Sequence, residues 1–149
     1  EYYLDLQKLR FKDAFNYKIE VAENIHPDRI MLPPLLAQPF IENAIEHGLR
    51  TLDHKGEIII RFKCEKTTLV FQVQDNGIGI TEAEKLKYEK GGPYESLGQR
   101  ITVDRLRLLN KMHGQIVTFN IEELKNREGK VTGTRVSFHI KYSDEMLCK

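Results

Sequence analysis

The sequence lacks the long hydrophobic runs and the one-sided charge that mark proteins of membranes and nucleic acids. Its 149 residues contain no apolar stretch near the roughly 18 residues that a membrane-spanning helix needs. Basic residues number 23 and acidic residues 22, so the formal net charge is +1. This balance provides no basic patch for DNA, RNA or an anionic membrane. We therefore predict a domain that contacts neither nucleic acid nor membrane.

Cysteine is also scarce. Cys64 and Cys148 are far apart in the sequence and belong to no CxxC pair. Such usage does not suggest a disulfide framework or a cysteine zinc site, and it predicts two reduced thiols. The hydrophobic fraction of 40% is nevertheless sufficient for a folded core, and the length favours one domain with at most a short extension.

Apolar periodicity predicts a chain of alternating helices and strands. Alternation indicates five strands, at about 15–21, 57–63, 69–73, 115–122 and 131–141. Helical spacing indicates helices at 2–13, 35–49 and 97–112, and the second should bend or begin its regular part at Pro39. A long polar loop is predicted at 81–95, with a short helical piece at 81–88. This order predicts a two-layer α/β sandwich, in which a mixed sheet carries helices on one face.

The first segment whose residues could take part in binding or catalysis is 38–48, QPFIENAIEHG. Asn43 and His47 are four positions apart, so a helix would place them on one face, beside its apolar stripe. The amide oxygen of asparagine is a hard ligand of the kind that Mg²⁺ accepts together with water and phosphate oxygens. A surface helix with polar residues at its rim would explain the same pattern.

The second segment is 73–80, VQDNGIGI. Asp75 ends an apolar strand, and its carboxylate could accept a hydrogen bond from an exocyclic amine such as that of adenine. Gly77 and Gly79 would let the backbone approach a flat ring closely. A strand that ends in an ordinary Asn-Gly turn is the alternative.

The third segment, 96–101, opens the last predicted helix with Ser-Leu-Gly-Gln-Arg-Ile. Free backbone N–H groups and the helix dipole favour phosphate at such an end, near Leu97 and Gly98. Arg100 could add a bidentate contact. A plain junction between loop and helix explains this segment alone equally well.

Taken together and in this order, the three segments resemble the GHKL ATPase superfamily, and most closely the LytS-like sensor histidine kinases. The stretches that carry the resemblance are 3–11, 32–36, 38–48, 104–109 and 133–136. The resemblance implies a Bergerat-type ATP-binding fold over nearly the whole chain.

The resemblance also implies a role for individual residues. Asn43 matches the Mg²⁺-coordinating asparagine and Asp75 the adenine-binding aspartate. The two glycine boxes correspond to Gly77 with Gly79 and to Gly98. Thr134 falls where a threonine lies near that aspartate, and 81–95 matches the ATP lid. The implied cofactors are thus ATP and Mg²⁺, with Asn43 as the catalytic and metal-binding residue.

The implied activity is that of an ATP-dependent protein-histidine kinase. Residues 1–14 would end a linker helix from an upstream dimerisation and phosphoacceptor region, and 15–149 would form the catalytic domain. The acceptor histidine would lie upstream, because none of the five histidines here has a His-Asn-Pro context. Expected partners are those upstream helices and a response regulator. The expected location is the cytoplasmic side of an inner-membrane sensor protein, and this fragment alone should be monomeric.

Three departures from the pattern keep other functions open. Glu46 stands where many relatives have a phosphate-contacting lysine, and Ser96 where a further glycine is expected. These changes leave room for a degenerate nucleotide-binding or interaction module, and a serine kinase of the anti-sigma type is a further alternative.

Pro39 occupies the place of the general base of ATP-hydrolysing relatives, and Glu42 would point about 100° away from Asn43. Transfer to a protein acceptor is therefore favoured over hydrolysis.

Overall fold

The computed structural model of the chain describes residues 1–12, 14–30, 32, 36–49, 52–89 and 117–141. Its elements, in chain order, are α1 (Tyr2–Arg10), β1 (Phe15–Val21), a 3-10 turn (Pro27–Arg29), α2 (Gln38–Asn43), a π-helical segment (Ala44–Leu49), β2 (Gly56–Glu65), β3 (Thr68–Asp75), α3 (Ile80–Glu89), β4 (Val117–Lys125) and β5 (Val131–Lys141). None of the helices in this described part combines the length and the apolar content needed to cross a bilayer. The predicted helix at 97–112 and the lid residues from 90 to 95 lie outside these ranges.

The five strands form one sheet in the order β1-β2-β3-β5-β4. The pair β1 and β2 is parallel, and the other three pairs are antiparallel. Hairpins join β2 to β3 and β4 to β5, because only a short turn separates the strands of these two antiparallel pairs. The parallel pair instead needs a crossover, which the chain makes through α2 and the π-helical segment. The predicted fold class, a mixed sheet with helices, is confirmed.

Aromatic rings fill the space between the sheet and its helical layer. Phe138 of β5 stacks on Phe71 of β3 with ring centroids 5.5 Å apart. Phe40 of α2 meets Phe138 edge-on at 5.2 Å. Side chains of a strand alternate between faces, and each of the five strands contributes apolar side chains from one face to this core. Burial of these rings against α2 fixes the helix that carries Asn43 over the sheet.

The other face of the sheet is polar. Glu20, Arg61, Gln74, Arg135 and Glu122 form a ladder that crosses all five strands in spatial order. Their donor–acceptor distances, from the first pair to the last, are 2.6, 2.9, 3.1 and 3.4 Å. Charges that are partnered within the sheet can remain at a solvated face, so this side needs no second helical layer.

The helix predicted at 35–49 is present but changes its winding. Its regular part begins at Gln38, with Pro39 in the first turn, where the missing N–H of proline costs nothing. After Asn43 the chain continues as a π-helix through Leu49. Single π-turns of this kind are rare and often occur at functional sites. The change falls directly after the residue predicted to hold metal.

The N-terminal helix α1 packs on the body of the domain. Leu4 is buried in the core, and the Tyr3 hydroxyl donates to Glu42 Oε1 at 2.7 Å. Tyr17 of β1 donates to Asp5 Oδ1 at 2.6 Å. The opposite side of α1 is exposed, with Tyr2 at 89% of its full accessible surface. A hydrogen bond thus joins α1 to the helix that carries Asn43. The predicted division of the chain after residue 14 stays a proposal.

We predict that Tyr3→Phe lowers the free energy of unfolding by about 1 kcal/mol, because the partly buried Glu42 carboxylate loses a donor. Urea denaturation measures the change. Tyr2→Phe is the matched control, since it removes the same hydroxyl from the exposed side of the same helix. Equal stability of the two variants would contradict the docking of α1 through Tyr3.

The expectation of two reduced thiols is wrong. Cys64, on β2, is disulfide-bonded in the structure. Separation along the sequence does not limit which side chains meet after folding, and the spacing of the two cysteines therefore could not decide this point. Cys148 lies outside the described residues.

Candidate functional site

A pocket opens between the helical layer and the core face of the sheet. The π-helical segment, the ends of β3 and β5, the middle of β4 and the first turns of α3 form its walls. The lining residues are Phe40, Asn43, Ala44, His47, Gly48, Val73, Asp75, Gly79, Ile80, Ala83, Glu84, Ile121, Thr134 and Val136. Five predicted site residues from four separate parts of the chain therefore share one cavity: Asn43, His47, Asp75, Gly79 and Thr134.

Asp75 is the buried carboxylate of this pocket, with 7% of its surface exposed. It ends β3 and pairs across the sheet with Thr134. Its Oδ1 accepts the backbone N–H of Gly77 at 2.8 Å and that of Thr134 at 3.3 Å. Both hydrogen bonds reach the same oxygen, which leaves Oδ2 as the acceptor for a donor inside the pocket.

Burial dominates the electrostatics of Asp75. Removal from water raises its pKa to about 6, although the hydrogen bonds from Gly77 and Thr134 act in the opposite direction. Near neutral pH the carboxylate is therefore mostly charged, in a largely apolar setting. Such a group gains from any further hydrogen-bond donor that a ligand brings.

Asn43 is the second polar feature of the pocket wall. Its Nδ2 atom is buried and has no hydrogen-bond partner within the described part of the chain. The nitrogen and oxygen of a side-chain amide are assigned from their hydrogen bonds. The unpartnered atom of Asn43, assigned as Nδ2, is a donor that a ligand could engage. A buried polar atom without a partner costs about 1–3 kcal/mol. An arrangement with this cost is typical of a group that acts on a ligand.

The glycines of the DNGIG turn serve close packing of the chain on itself. A Cβ on Gly77 would lie 2.6 Å from the Gly48 carbonyl oxygen and 2.8 Å from Asp75 Oδ1. Gly79 has a φ of +85° and lines the pocket, whereas Gly77 is not among the lining residues. Their predicted approach to a flat ring stays a prediction. What the structure adds is that Gly77 lets the turn meet the π-helical segment.

Leu97, Gly98 and Arg100 lie outside the described residues, as does Ser96. Glu46 points to α1, where its carboxylate lies 3.8 Å from Arg10 in an exposed pair.

Sequence patterns did not identify the residues of α3 and β4 that line the pocket. Ala83 and Glu84 belong to α3, and Ile121 to β4. Ile121 packs against the core, but no sequence signal distinguishes a core residue at a cavity from one in closed packing. The helical spacing of Ile80 and Glu84 is the one signal that could have put the two residues on a common face of α3.

These features define a class: an α/β sandwich with a binding pocket between its sheet and its helices. Residues 34–144 match the model of the histidine kinase-, DNA gyrase B- and HSP90-like ATPases, and the chain belongs to this family. Membership of this ATPase family implies nucleotide binding.

Curated relatives include sensor proteins of several bacteria. The sensor protein LytS of Staphylococcus saprophyticus is 29% identical over 140 residues, which cover 93% of this chain and 23% of the relative. The sensor protein kinase HptS of Staphylococcus aureus is 32% identical over 115 residues, with coverage of 77% and 20%. The chain thus spans less than a quarter of the length of these relatives. The predicted resemblance to LytS-like sensor histidine kinases is confirmed.

Solved structures show the same fold. The histidine kinase domain of a blue-light-activated kinase from Erythrobacter litoralis superposes with a TM-score of 0.58 at 21% identity, over 94% of this chain and 62% of that chain. The catalytic domain of histidine kinase ThkA gives 0.54 at 23% identity, with coverage of 94% and 86%. The described sheet and helices therefore have the same fold as these two domains.

Proposed function

We propose that this chain binds ATP with Mg²⁺ and transfers the γ-phosphate to a histidine on an upstream helix, as the catalytic domain of a sensor histidine kinase. The observation that carries the proposal is one pocket lined both by a buried carboxylate, Asp75, and by the amide of Asn43, whose Nδ2 atom is buried and unpartnered. The first suits the amine of adenine, and the second suits the metal-bound phosphates.

The adenine ring would lie at the Asp75 end of the pocket. Its exocyclic amine donates hydrogen bonds, and Asp75 Oδ2 is oriented by the two bonds that hold Oδ1. Apolar side chains of Ile80, Ala83 and Val136 line the same pocket and match the faces of a flat ring. Thr134 also lines the pocket, and its backbone N–H bonds the same carboxylate.

The Asn43 end would hold the metal and the phosphates. The described residues contain no cluster of three or more His, Cys, Asp or Glu side chains, so the pocket provides no all-protein metal cage there. The amide oxygen of Asn43 suits Mg²⁺, which usually keeps water and phosphate oxygens as its other ligands. The unpartnered Nδ2 atom is a donor and suits a phosphate oxygen. The bound ion would neutralise charge on the phosphates. His47, one turn later, would face the phosphates, joined by Leu97, Gly98 and Arg100 if the third segment acts as its sequence predicts.

Transfer rather than hydrolysis is supported by the surroundings of Glu42. Its Oε1 accepts the Tyr3 hydroxyl at 2.7 Å and Gln38 Nε2 at 2.8 Å, and the residue is absent from the pocket lining. A general base must lie within hydrogen-bond reach of the water that it activates. Pro39, one helical turn before Asn43, has no basic group. A γ-phosphate in this pocket would therefore await an acceptor from another segment.

The partners follow from this role. The acceptor and the dimer contacts would come from helices upstream of the linker at 1–14, and a response regulator would take the phosphate onward. The domain would act on the cytoplasmic side of a membrane-anchored sensor. Glu46 weighs little against nucleotide binding, because its side chain pairs with Arg10 away from the lining.

Calorimetric titration of this chain with a non-hydrolysable ATP analogue, with and without Mg²⁺, tests the binding step. Saturable binding that strengthens with Mg²⁺ is the expected result. A longer protein that includes the upstream helices should then acquire acid-labile phosphate from ATP. No binding at millimolar nucleotide would refute the function and favour the degenerate module. Binding with acid-stable phosphate on a partner would indicate the serine kinase.

The pKa of Asp75 predicts how stability depends on pH. Its value is raised from 3.8 to about 6, so the folded state binds a proton more tightly than the unfolded state. The resulting stabilisation is complete below about pH 4 and is lost as the pH rises through about 6. Relative to Asp75→Asn, which does not titrate, the wild type should lose roughly 2 kcal/mol between pH 4 and pH 7. Denaturant unfolding of both proteins at each pH measures this difference, and a constant difference would contradict the burial argument.

A further inference from the structure

The first turn of α3 has no cap of its own. The helix begins at Ile80, and the residue before it is Gly79, which has no side chain to accept a hydrogen bond. The first N–H groups of a helix need acceptors, usually from a Ser, Thr, Asp or Asn at that place. Here the acceptor comes from a neighbouring strand, because Glu123 Oε1 of β4 accepts the backbone N–H of Thr81 at 2.8 Å. Glu123 therefore caps α3 from outside the helix.

Gly79 makes room for this contact. A Cβ at this position would lie 2.9 Å from Glu123 Oε1 and 2.5 Å from Val131 Cγ1. The φ of Gly79, +85°, is also a conformation that other residues rarely adopt. A residue with a side chain here would both strain the turn and push Glu123 away from the helix. The glycine and the glutamate therefore act together.

The charge of Glu123 matches its position. The hydrogen bonds from Thr81 lower the pKa of this carboxyl group, so it is ionised at neutral pH. The start of a helix carries a partial positive charge, which a carboxylate stabilises. The contact thus combines a hydrogen bond with a favourable interaction with the helix dipole.

The capped turn is also a wall of the pocket. Ile80, Ala83 and Glu84 of α3 line the cavity, and so does Ile121, two residues before Glu123 on the same face of β4. We propose that Glu123 is a positioning residue of the nucleotide site, whose carboxylate holds the first turn of α3 against β4 and so sets the place of this wall. The inference rests on the proposed function, since it assigns a role in nucleotide binding.

Glu123→Ala tests the proposal, and Glu122→Ala is its matched control. Glu122 is the neighbouring glutamate, but its side chain pairs with Arg135 on the other face of the sheet, 3.4 Å away. Loss of a helix cap should raise the Kd for the ATP analogue by about three- to tenfold in Glu123→Ala. The control should stay within about twofold of the wild type. Glu123→Gln keeps an oxygen acceptor at the same reach and should recover most of the affinity.

Amide exchange in the ligand-free protein gives a second readout. The N–H of Thr81 should exchange faster in Glu123→Ala than in the wild type or in Glu122→Ala. Unchanged Kd in Glu123→Ala, with the wild type binding normally, would overturn the role of Glu123 and leave the proposed function intact. The same holds if melting temperature falls without a change in Kd. Absence of binding by the wild type would overturn both.

Discussion

Asp75→Asn is expected to weaken the binding of an adenine nucleotide by about 100-fold or more while the domain stays folded. The new amide can keep its oxygen at the Oδ1 position, where it still accepts the N–H groups of Gly77 and Thr134. Its NH₂ group then takes the place of Oδ2. A donor would face the amine of adenine, which is also a donor, so the pocket would lose its acceptor and gain an unpaired group.

Titration calorimetry with an ATP analogue measures the loss, and thermal unfolding monitors the fold. Asp53→Asn is the control, because it makes the same chemical change at a fully exposed side chain, at 100% relative exposure. The melting temperature of Asp75→Asn at neutral pH should be no lower than that of the wild type, since a buried charge has been removed. Retained nucleotide affinity in Asp75→Asn would exclude this carboxylate as the adenine ligand.

Gly133→Ala is expected to destabilise the domain by at least about 3 kcal/mol. Gly133 lies on β5, beside the bulge between Leu124 and Lys125 of β4, and has a φ of +146°. A Cβ there would lie 1.9 Å from the backbone oxygen of Asp75, so the two strands could not keep their separation. The change would also displace Thr134, whose N–H holds the Asp75 carboxylate.

Gly129→Ala provides the matched control for this substitution. Gly129 also has a positive φ, +80°, but a Cβ there meets nothing within 4 Å. Only the backbone conformation is penalised, at about 1 kcal/mol. For a domain of this size the melting temperature should fall by roughly 6–12 °C in Gly133→Ala and by a few degrees in Gly129→Ala. Similar melting temperatures for the two variants would show that the chain avoids the contact at Gly133 by a local shift.

The strands and the family could be predicted from the sequence because both depend on local order along the chain. Alternation placed β1 at Phe15–Val21 and β5 at Val131–Lys141, with the same bounds as the structure. Each strand buries one face, so its side-chain period is visible in the sequence itself. The order of the segments around Asn43 and Asp75 likewise indicated the ATPase family that the comparison with family models confirmed.

The winding of the helix after Asn43 was not predictable in this way. Apolar spacing of three and four residues fits a regular helix and a π-helix nearly equally over a single turn. The choice depends on what the segment meets in the folded chain, here the DNGIG turn, whose Ile78 N–H donates to the Gly48 carbonyl oxygen at 3.1 Å. This hydrogen bond joins residues thirty positions apart, beyond the reach of a local pattern.

By itself the sequence determined which residue types stand at which ends of strands and helices, and so the fold class, the family and the candidates Asn43 and Asp75. Only the tertiary structure decided that these two line one pocket, that Tyr3 holds Glu42 outside its lining, and that Glu123 caps α3 from another strand. The physical reason is the distance along the chain over which each effect acts. Periodicity and turn chemistry act between neighbours in the chain, whereas burial, the raised pKa of Asp75 and the cap on α3 depend on groups that meet only after the sheet has formed.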